Sequence, residues 1–390
     1  MKIFYLTPRV PFPIDKGDKL RAFYQIKYLS EKHEIFLYSL DENRVYKPYN
    51  NPLNQYCKKV KVVQLTRLQI LINLLKGIFY DVPFQTSYYY SEKIEEDICT
   101  IINDFKPDLI YCQLIRTAKF VENISNIPKV IDYVDVISKG LERRLQKSNI
   151  FLKLLLRWEL KRAIKYEEKV YKIFNEKIII TSEDKNLLPF DQKHNVRVIP
   201  NGIDLEYFHP IESEKKCDIL FSGNLSYPPN IDAAEYLVKE IMPLVWQWDN
   251  KVTVTIAGAS PKKRILSLAS ERVKIIGWTE DIRDIYKRAK IFIAPLQIGT
   301  GLQNKLLQAM AMKLPCVVSE LTAKGLVSHN CDFILVAKTK EEYVDFIKTL
   351  LTDKEYASKI AENGFNYVSD NYSWKKIIND LDMILQKATL

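Results

Sequence analysis

The sequence predicts an α/β protein made of two doubly wound, parallel-sheet domains. Short β-branched or aromatic runs alternate with longer amphipathic ones along the chain, the pattern of strands joined by helices. Several runs, such as Lys177-Ile178-Ile179-Ile180 and Ile291-Phe292-Ile293-Ala294, are apolar at successive positions, as parallel strands covered on both faces must be. Near the middle, Pro200-Asn201-Gly202-Ile203-Asp204 punctuates the chain, which places a domain boundary there. The 390 residues are 47% hydrophobic and 27% charged, which excludes disorder and predicts two or three domains.

In the first half the expected strands are Ile3–Thr7, Glu34–Leu40, Val60–Leu65, Leu109–Gln113, Lys129–Tyr133, Lys177–Thr181 and Val196–Pro200. In the second they are Asp218–Ser222, Val252–Gly258, Val273–Gly277, Ile291–Leu296, Cys316–Glu320 and Phe333–Ala337. The division is 1–200, 201–372 and a closing helix over 373–390, with Ile377, Ile378, Leu381, Ile384 and Leu385 on one face. That helix can cross back to the first domain.

No stretch approaches 18 uninterrupted apolar residues, so no membrane-spanning helix is expected. The opening residues read as a strand and a loop rather than a signal peptide. Cysteines 57, 99, 112, 217, 316 and 331 are scattered without a C-x-x-C pair. They are read as reduced core thiols of a cytosolic protein, with no zinc site and no metal.

The net charge is +10, and it is unevenly placed. Residues 1–205 hold 34 Lys+Arg against 25 Asp+Glu, and residues 206–390 hold 24 against 23. Residues 139–172 alone carry eleven Lys+Arg against four Glu. Among the eleven are Arg143, Arg144 and Lys147, and Leu152, Leu154, Leu155 and Trp158 are interleaved. A basic amphipathic helix of this kind suits an anionic membrane surface, and the apolar stretch Leu65–Tyr80 can add to it. A core helix with a solvated basic face fits the same pattern. No nucleic-acid module accompanies the charge, so nucleic acid is not an expected partner.

Ligands of open parallel sheets bind beyond the carboxyl ends of strands. The richest such segment is Gly299-Thr300-Gly301-Leu302-Gln303-Asn304-Lys305, a glycine turn that opens a helix. Free helix-start amides attract phosphate. A lysine is unfavourable at that end unless an anion compensates it. An ordinary strand–turn–helix corner with a solvated lysine remains the alternative.

Three passages together resemble the GT-B retaining glycosyltransferases of the large family-4 group. More narrowly, they are similar to the sugar transferases of PEP-CTERM/exosortase exopolysaccharide systems. They are Thr7-Pro8-Arg9-Val10-Pro11-Phe12-Pro13 running into Gly17-Asp18-Lys19-Leu20-Arg21, Val198-Ile199-Pro200-Asn201-Gly202-Ile203-Asp204, and Gly301–Lys305 with Ala309-Met310-Ala311. The resemblance implies two Rossmann-like domains facing a cleft, the first for the acceptor and the second for a nucleotide-sugar. It puts the donor diphosphate over the helix start at Gly299, Gly301, Asn304 and Lys305, with Lys305 balancing the leaving group.

The family pattern has two glutamates where this chain has Thr300 and Gln308, and a neutral Gln308 should hold a ribose diol more weakly. Gly223 follows a strand at the phosphate level, and Gly277 and Trp278 lie where the base is expected. Gly17 and Arg21 are expected to face the donor from the first domain, with Asp18 as helix N-cap. Asp135 is the catalytic candidate, orienting an acceptor hydroxyl or stabilising charge at the anomeric carbon; a helix N-cap is the other reading of it.

The expectation is a metal-independent hexosyltransferase without a cofactor, acting on a lipid-linked glycan in polysaccharide assembly and peripheral at the inner membrane face. A GT-B nucleotide-sugar epimerase or a non-catalytic membrane scaffold would share these features.

Overall fold

The computed structural model describes residues 1–42, 51–298, 301–326 and 332–389. The chain divides into two compact units, Met1–Pro200 with Trp374–Leu390, and Asn201–Ser373.

The first unit is a sheet of seven parallel strands: β1 Lys2–Thr7, β2 Glu34–Asp41, β3 Lys59–Gln64, β4 Leu109–Gln113, β5 Lys129–Asp132, β6 Glu176–Ile179 and β7 Arg197–Val198. Their spatial order is β3-β2-β1-β4-β5-β6-β7. The order reverses between β1 and β4, which is the switch point of a doubly wound sheet. Alternation along β1 explains its two covered faces. Ile3 and Tyr5 pack with Ala22, Ile26 and the carboxyl-terminal helix Trp374–Ala388. Phe4 and Leu6 pack with Ile98, Phe120 and Tyr166 on the opposite side. The face of Trp374–Ala388 that carries Ile377, Ile378, Leu381, Ile384 and Leu385 is buried, and Trp374 stacks on Tyr24 at 5.0 Å.

The second unit repeats the plan with six parallel strands: β8 Cys217–Ser222, β9 Val254–Ala257, β10 Val273–Ile276, β11 Ala289–Ala294, β12 Cys316–Ser319 and β13 Leu335–Ala337. They are ordered β10-β9-β8-β11-β12-β13, so its switch point lies between β8 and β11. Each predicted strand matches a strand here, with no end displaced by more than two residues.

The segment 139–172 forms two helices, Ile137–Lys147 and Ile150–Ile173. Asn149 separates them by capping the second through Leu152 N at 3.1 Å, as expected of Asn at an N-cap. The second helix is core only in its later half, where Ala163, Tyr166 and Val170 are buried. Earlier, Ile150 and Leu154 are 75% and 70% exposed. Part of the segment's charge is neutralised, by Lys165–Asp81, Lys169–Glu122 and Lys172–Glu168 pairs among others. Among the described residues no helix is long and apolar enough to cross a membrane.

Candidate functional site

In the second unit the chemistry gathers at the β8/β11 switch point. The helix Asn304–Ala311 follows β11, and its N-cap residue Gln303 makes no side-chain capping bond, so its first-turn amides are not capped in that way. Lys305, one residue in, is only 8% exposed. Its Nζ donates to the neutral Asn230 Oδ1 at 2.5 Å and lies 4.8 Å from the Phe221 ring centroid. Burial without a carboxylate partner pulls its pKa down to about 7, the direction desolvation imposes on a cation.

Backbone geometry keeps this corner tight. Gly223 ends β8 at φ 154°, and a Cβ there would stand 2.8 Å from Asn230 Nδ2 and 3.3 Å from Lys305 Nζ. Gly258 ends β9 at φ 149°, and a Cβ there would stand 1.7 Å from the Gly223 carbonyl oxygen. Only glycine fits either place.

Residues distant in sequence meet around the helix that carries Gln308. Tyr286, fully buried, donates to Gln308 Oε1 at 3.1 Å, and its hydroxyl also meets Ser222 Oγ at 2.7 Å. Asn304 Oδ1 accepts from Asn201 Nδ2 at 3.4 Å, which ties the Asn-Gly punctuation to the helix start. Trp278 is 75% exposed, and the space over Gly277 is open. Gly301 sits at φ 87°; Gly299 and Thr300 lie outside the described residues.

In the first unit the structure corrects one expected donor contact. Arg21 and Asp132 are both 0% exposed and form a 2.6 Å ion pair. Gln25 Nε2 and the Tyr111 hydroxyl also donate to Asp132 Oδ2, at 3.1 and 2.9 Å. Arg21 reaches the Pro200 carbonyl oxygen at 3.2 Å. Its guanidinium therefore serves the core and anchors the end of the unit's chain instead of facing a donor. The reason is directional: on the helix Gly17–Leu29, Arg21 shares the buried face with Gln25 and Ala22.

Gly17 opens that helix with free space around its Cα. The N-cap is Lys16, which makes no side-chain capping bond; Asp18 lies inside the first turn and pairs with Arg9 at 2.8 Å, correcting its reading as the cap.

Asp135 follows β5 and is exposed. It is not a helix cap either, since the N-cap of Ile137–Lys147 is Val136, and Glu167 Oε1 accepts from the Ser138 amide at 3.1 Å. The surrounding protein pushes the Asp135 carboxyl up to about 6. Desolvation is the main cause, opposed by Arg116 and Arg9 and reinforced by Asp18 and Asp184. Its own solvent access limits that desolvation. Beside it, Val134 is held at φ 62°, a strained conformation for a β-branched residue.

Arg143 and Arg144 are exposed on the helix Ile137–Lys147; the side chain of Lys147 lies outside the described set. His33 binds Asp382 at 2.7 Å, a structural role. Among the described residues no group of three or more His, Cys, Asp and Glu could hold a metal ion.

Comparison with known proteins fits this layout. Residues 216–353 match the family model described as "Glycosyl transferases group 1". An "Uncharacterized 44.6 kDa protein in cps region" of Klebsiella pneumoniae is 22% identical, covering 97% of this chain and 98% of that one. The UDP-Gal:alpha-D-GlcNAc-diphosphoundecaprenol alpha-1,3-galactosyltransferase of Escherichia coli is 23% identical over 72% of this chain and 77% of its own. Anabaena HepE, solved with UDP, superposes with a TM-score of 0.71 at 17% identity, covering 99% and 100% of the two chains. Sucrose-phosphate synthase from Thermosynechococcus elongatus gives 0.71 at 12% identity, covering 99% of each chain. The fold is that of the GT-B glycosyltransferases, two parallel-sheet α/β units, and the segment matching the group 1 family lies within the second of them.

Proposed function

We propose that this chain is a retaining glycosyltransferase that moves a hexose from a nucleotide-sugar to a lipid-linked glycan during polysaccharide assembly, in the manner of the exopolysaccharide sugar transferases. The observation that carries this reading is Lys305, a buried cation without a counter-charge at the switch point where doubly wound sheets bind nucleotides. A nucleoside diphosphate supplies the missing negative charge. The helix-start amides of Asn304–Ala311 and Lys305 hold it and stabilise the leaving diphosphate without a metal.

The remaining donor residues follow from placement. The exposed Trp278 offers the base a stacking surface. Gln308, its carbonyl oxygen occupied by Tyr286, turns its amide N–H groups to the ribose. In the first unit Asp135 orients the acceptor hydroxyl as a carboxylate or stabilises charge at the anomeric carbon.

A lipid-linked acceptor is supported by the Escherichia coli relative, whose name specifies a diphosphoundecaprenol-linked sugar. It is also supported by the exposed apolar side chains of Arg67–Lys76 and of the start of Ile150–Ile173. With Arg143 and Arg144 close by in sequence, these form a peripheral attachment to an anionic inner membrane face.

The test is a thermal-shift and calorimetric screen with UDP, GDP and ADP, followed by donor hydrolysis. One nucleotide should bind, and slow donor hydrolysis should vanish in Lys305→Ala. Absence of all three bindings would falsify the reading. Release of an epimerised sugar nucleotide without acceptor would convert it to an epimerase.

A further inference from the structure

The first unit has its own switch point, between β1 and β4, and an arginine follows each strand there. Arg9 and Arg116, joined by Arg144 from the helix Ile137–Lys147, line a cavity of about 380 Å³. Its wall also holds Glu42, Tyr88 and Tyr89.

The charges in this cavity are not matched. Arg9 pairs with Asp18 at 2.8 Å and with Glu42 at 3.8 Å, and Tyr88 also donates to Glu42, at 2.7 Å. Arg116 donates to the neutral Gln85 Oε1 at 2.9 Å. Among the described residues neither Arg116 nor Arg144 has a carboxylate within ion-pair distance. The Nε atoms of Arg9 and Arg116 are buried without a hydrogen-bond acceptor. Unmatched guanidinium donors inside a cavity fit an anion with several oxygens, and planar forks suit phosphate best. Two fields converge on the buried Tyr89: burial raises its phenol, and Arg9 and Arg116 oppose that rise.

The rest of the cavity wall is apolar and leads outward. Leu74 lines it from the helix Arg67–Lys76, and its helical neighbours Leu71 and Leu75 are 55% and 56% exposed. Phe84 lines it too and meets the half-exposed Trp158 ring edge-on at 5.5 Å. An anion held by the arginines therefore has an apolar track beginning beside it. The candidate catalytic carboxylate is also in range, since Asp135 feels both Arg116 and Arg9.

We propose that this cavity binds the diphosphate of a lipid-linked acceptor, with Arg116 and Arg144 as its anion-binding residues and the lipid chain leaving along Leu74 and Phe84. This deepens the proposed function and rests on its acceptor half.

The probe is farnesyl diphosphate, titrated calorimetrically with UDP at saturation so that the second unit's diphosphate site is filled. Farnesol and inorganic pyrophosphate are the comparison ligands. Wild type should bind farnesyl diphosphate about tenfold or more tighter than either. Arg116→Ala and Arg144→Ala should each lose about tenfold or more, the scale of one charge-assisted bond. Lys305→Ala should lose UDP and keep farnesyl diphosphate.

Equal binding of farnesol, or unchanged affinity in both arginine variants, overturns the assignment of the cavity. Pyrophosphate binding as tightly as farnesyl diphosphate overturns the lipid part. A wild type that shows the arginine dependence but binds no nucleotide upholds the cavity and sinks the donor reading instead.

Discussion

Lys305 Nζ lies 2.5 Å from Asn230 Oδ1, and that neutral amide is its only side-chain acceptor among the described residues. The protein therefore holds a lysine whose charge is stabilised by dipole and ring but by no carboxylate. With its pKa near 7, the ligand-free lysine is mostly neutral at pH 8, and a bound diphosphate should recharge it.

Nucleotide binding should consequently take up a proton. Between pH 7.5 and 9, affinity should fall with rising pH by up to about tenfold per unit. Calorimetry in two buffers of different ionisation enthalpy measures the uptake directly. A pH-independent affinity would place the diphosphate away from Lys305.

Stability of the ligand-free protein should move the opposite way. The folded pKa near 7 lies below the ~10.4 of a free lysine, so the unfolded chain binds more protons between these values. Stability should then rise with pH across that window. Lys305→Met should flatten the dependence and raise ligand-free stability at pH 7 by about 1–3 kcal/mol, read from denaturant midpoints.

Gln308→Glu should tighten nucleoside diphosphate binding by about three- to tenfold, because it puts a charged acceptor for the ribose diol where the amide offers only N–H donors. A 2′-deoxy nucleotide should gain less. Equal gains for both sugars would show that Gln308 does not face the ribose.

Arg21 and Asp132 should matter for stability and little for nucleotide affinity. Removing one partner leaves a buried charge unpaired, at a cost of about 3–5 kcal/mol. Arg21→Met should show that loss in urea, and the folded fraction should bind nucleotide normally. A large affinity change at constant stability would return Arg21 to the donor site.

Asp135→Asn should depress turnover while sparing nucleotide binding. If the carboxylate form acts, activity should decline as pH falls through about 6, where Asp135 becomes protonated, and the variant should lose that limb.

The strands were legible because buried parallel strands are continuous apolar runs: Ile178-Ile179-Ile180 has few other uses. Lys305 stands out in the sequence because a lysine at a helix start is a local anomaly, but its burial against Asn230 appears only in the fold. Arg21 misled because helix phase is not visible from one charged residue. Its partner Asp132 is 111 positions away, and the polar cluster around them is assembled only by folding. The same holds for Asn230 and Tyr286, which reach Lys305 and Gln308 from distant sequence. Arg9 and Arg116 carried a signal that could have been used, since each comes just after a strand at the switch point.

The segment Asn201–Ser373 begins and ends at one place. Ile203 forms a parallel bridge with Ser373 and its amide donates to the Tyr372 carbonyl oxygen at 2.6 Å. The second unit is thus a loop closed at its own neck, spliced into a chain that resumes with Trp374 in the core of the first. Shortening the protein from its carboxyl end would therefore injure the amino-terminal half first. Removal of 374–390 strips the cover from Ile26 and Tyr24 and leaves the second unit's own core whole. An excision of 201–373, rejoined by a short linker, would keep both parts of the first unit's core in one chain.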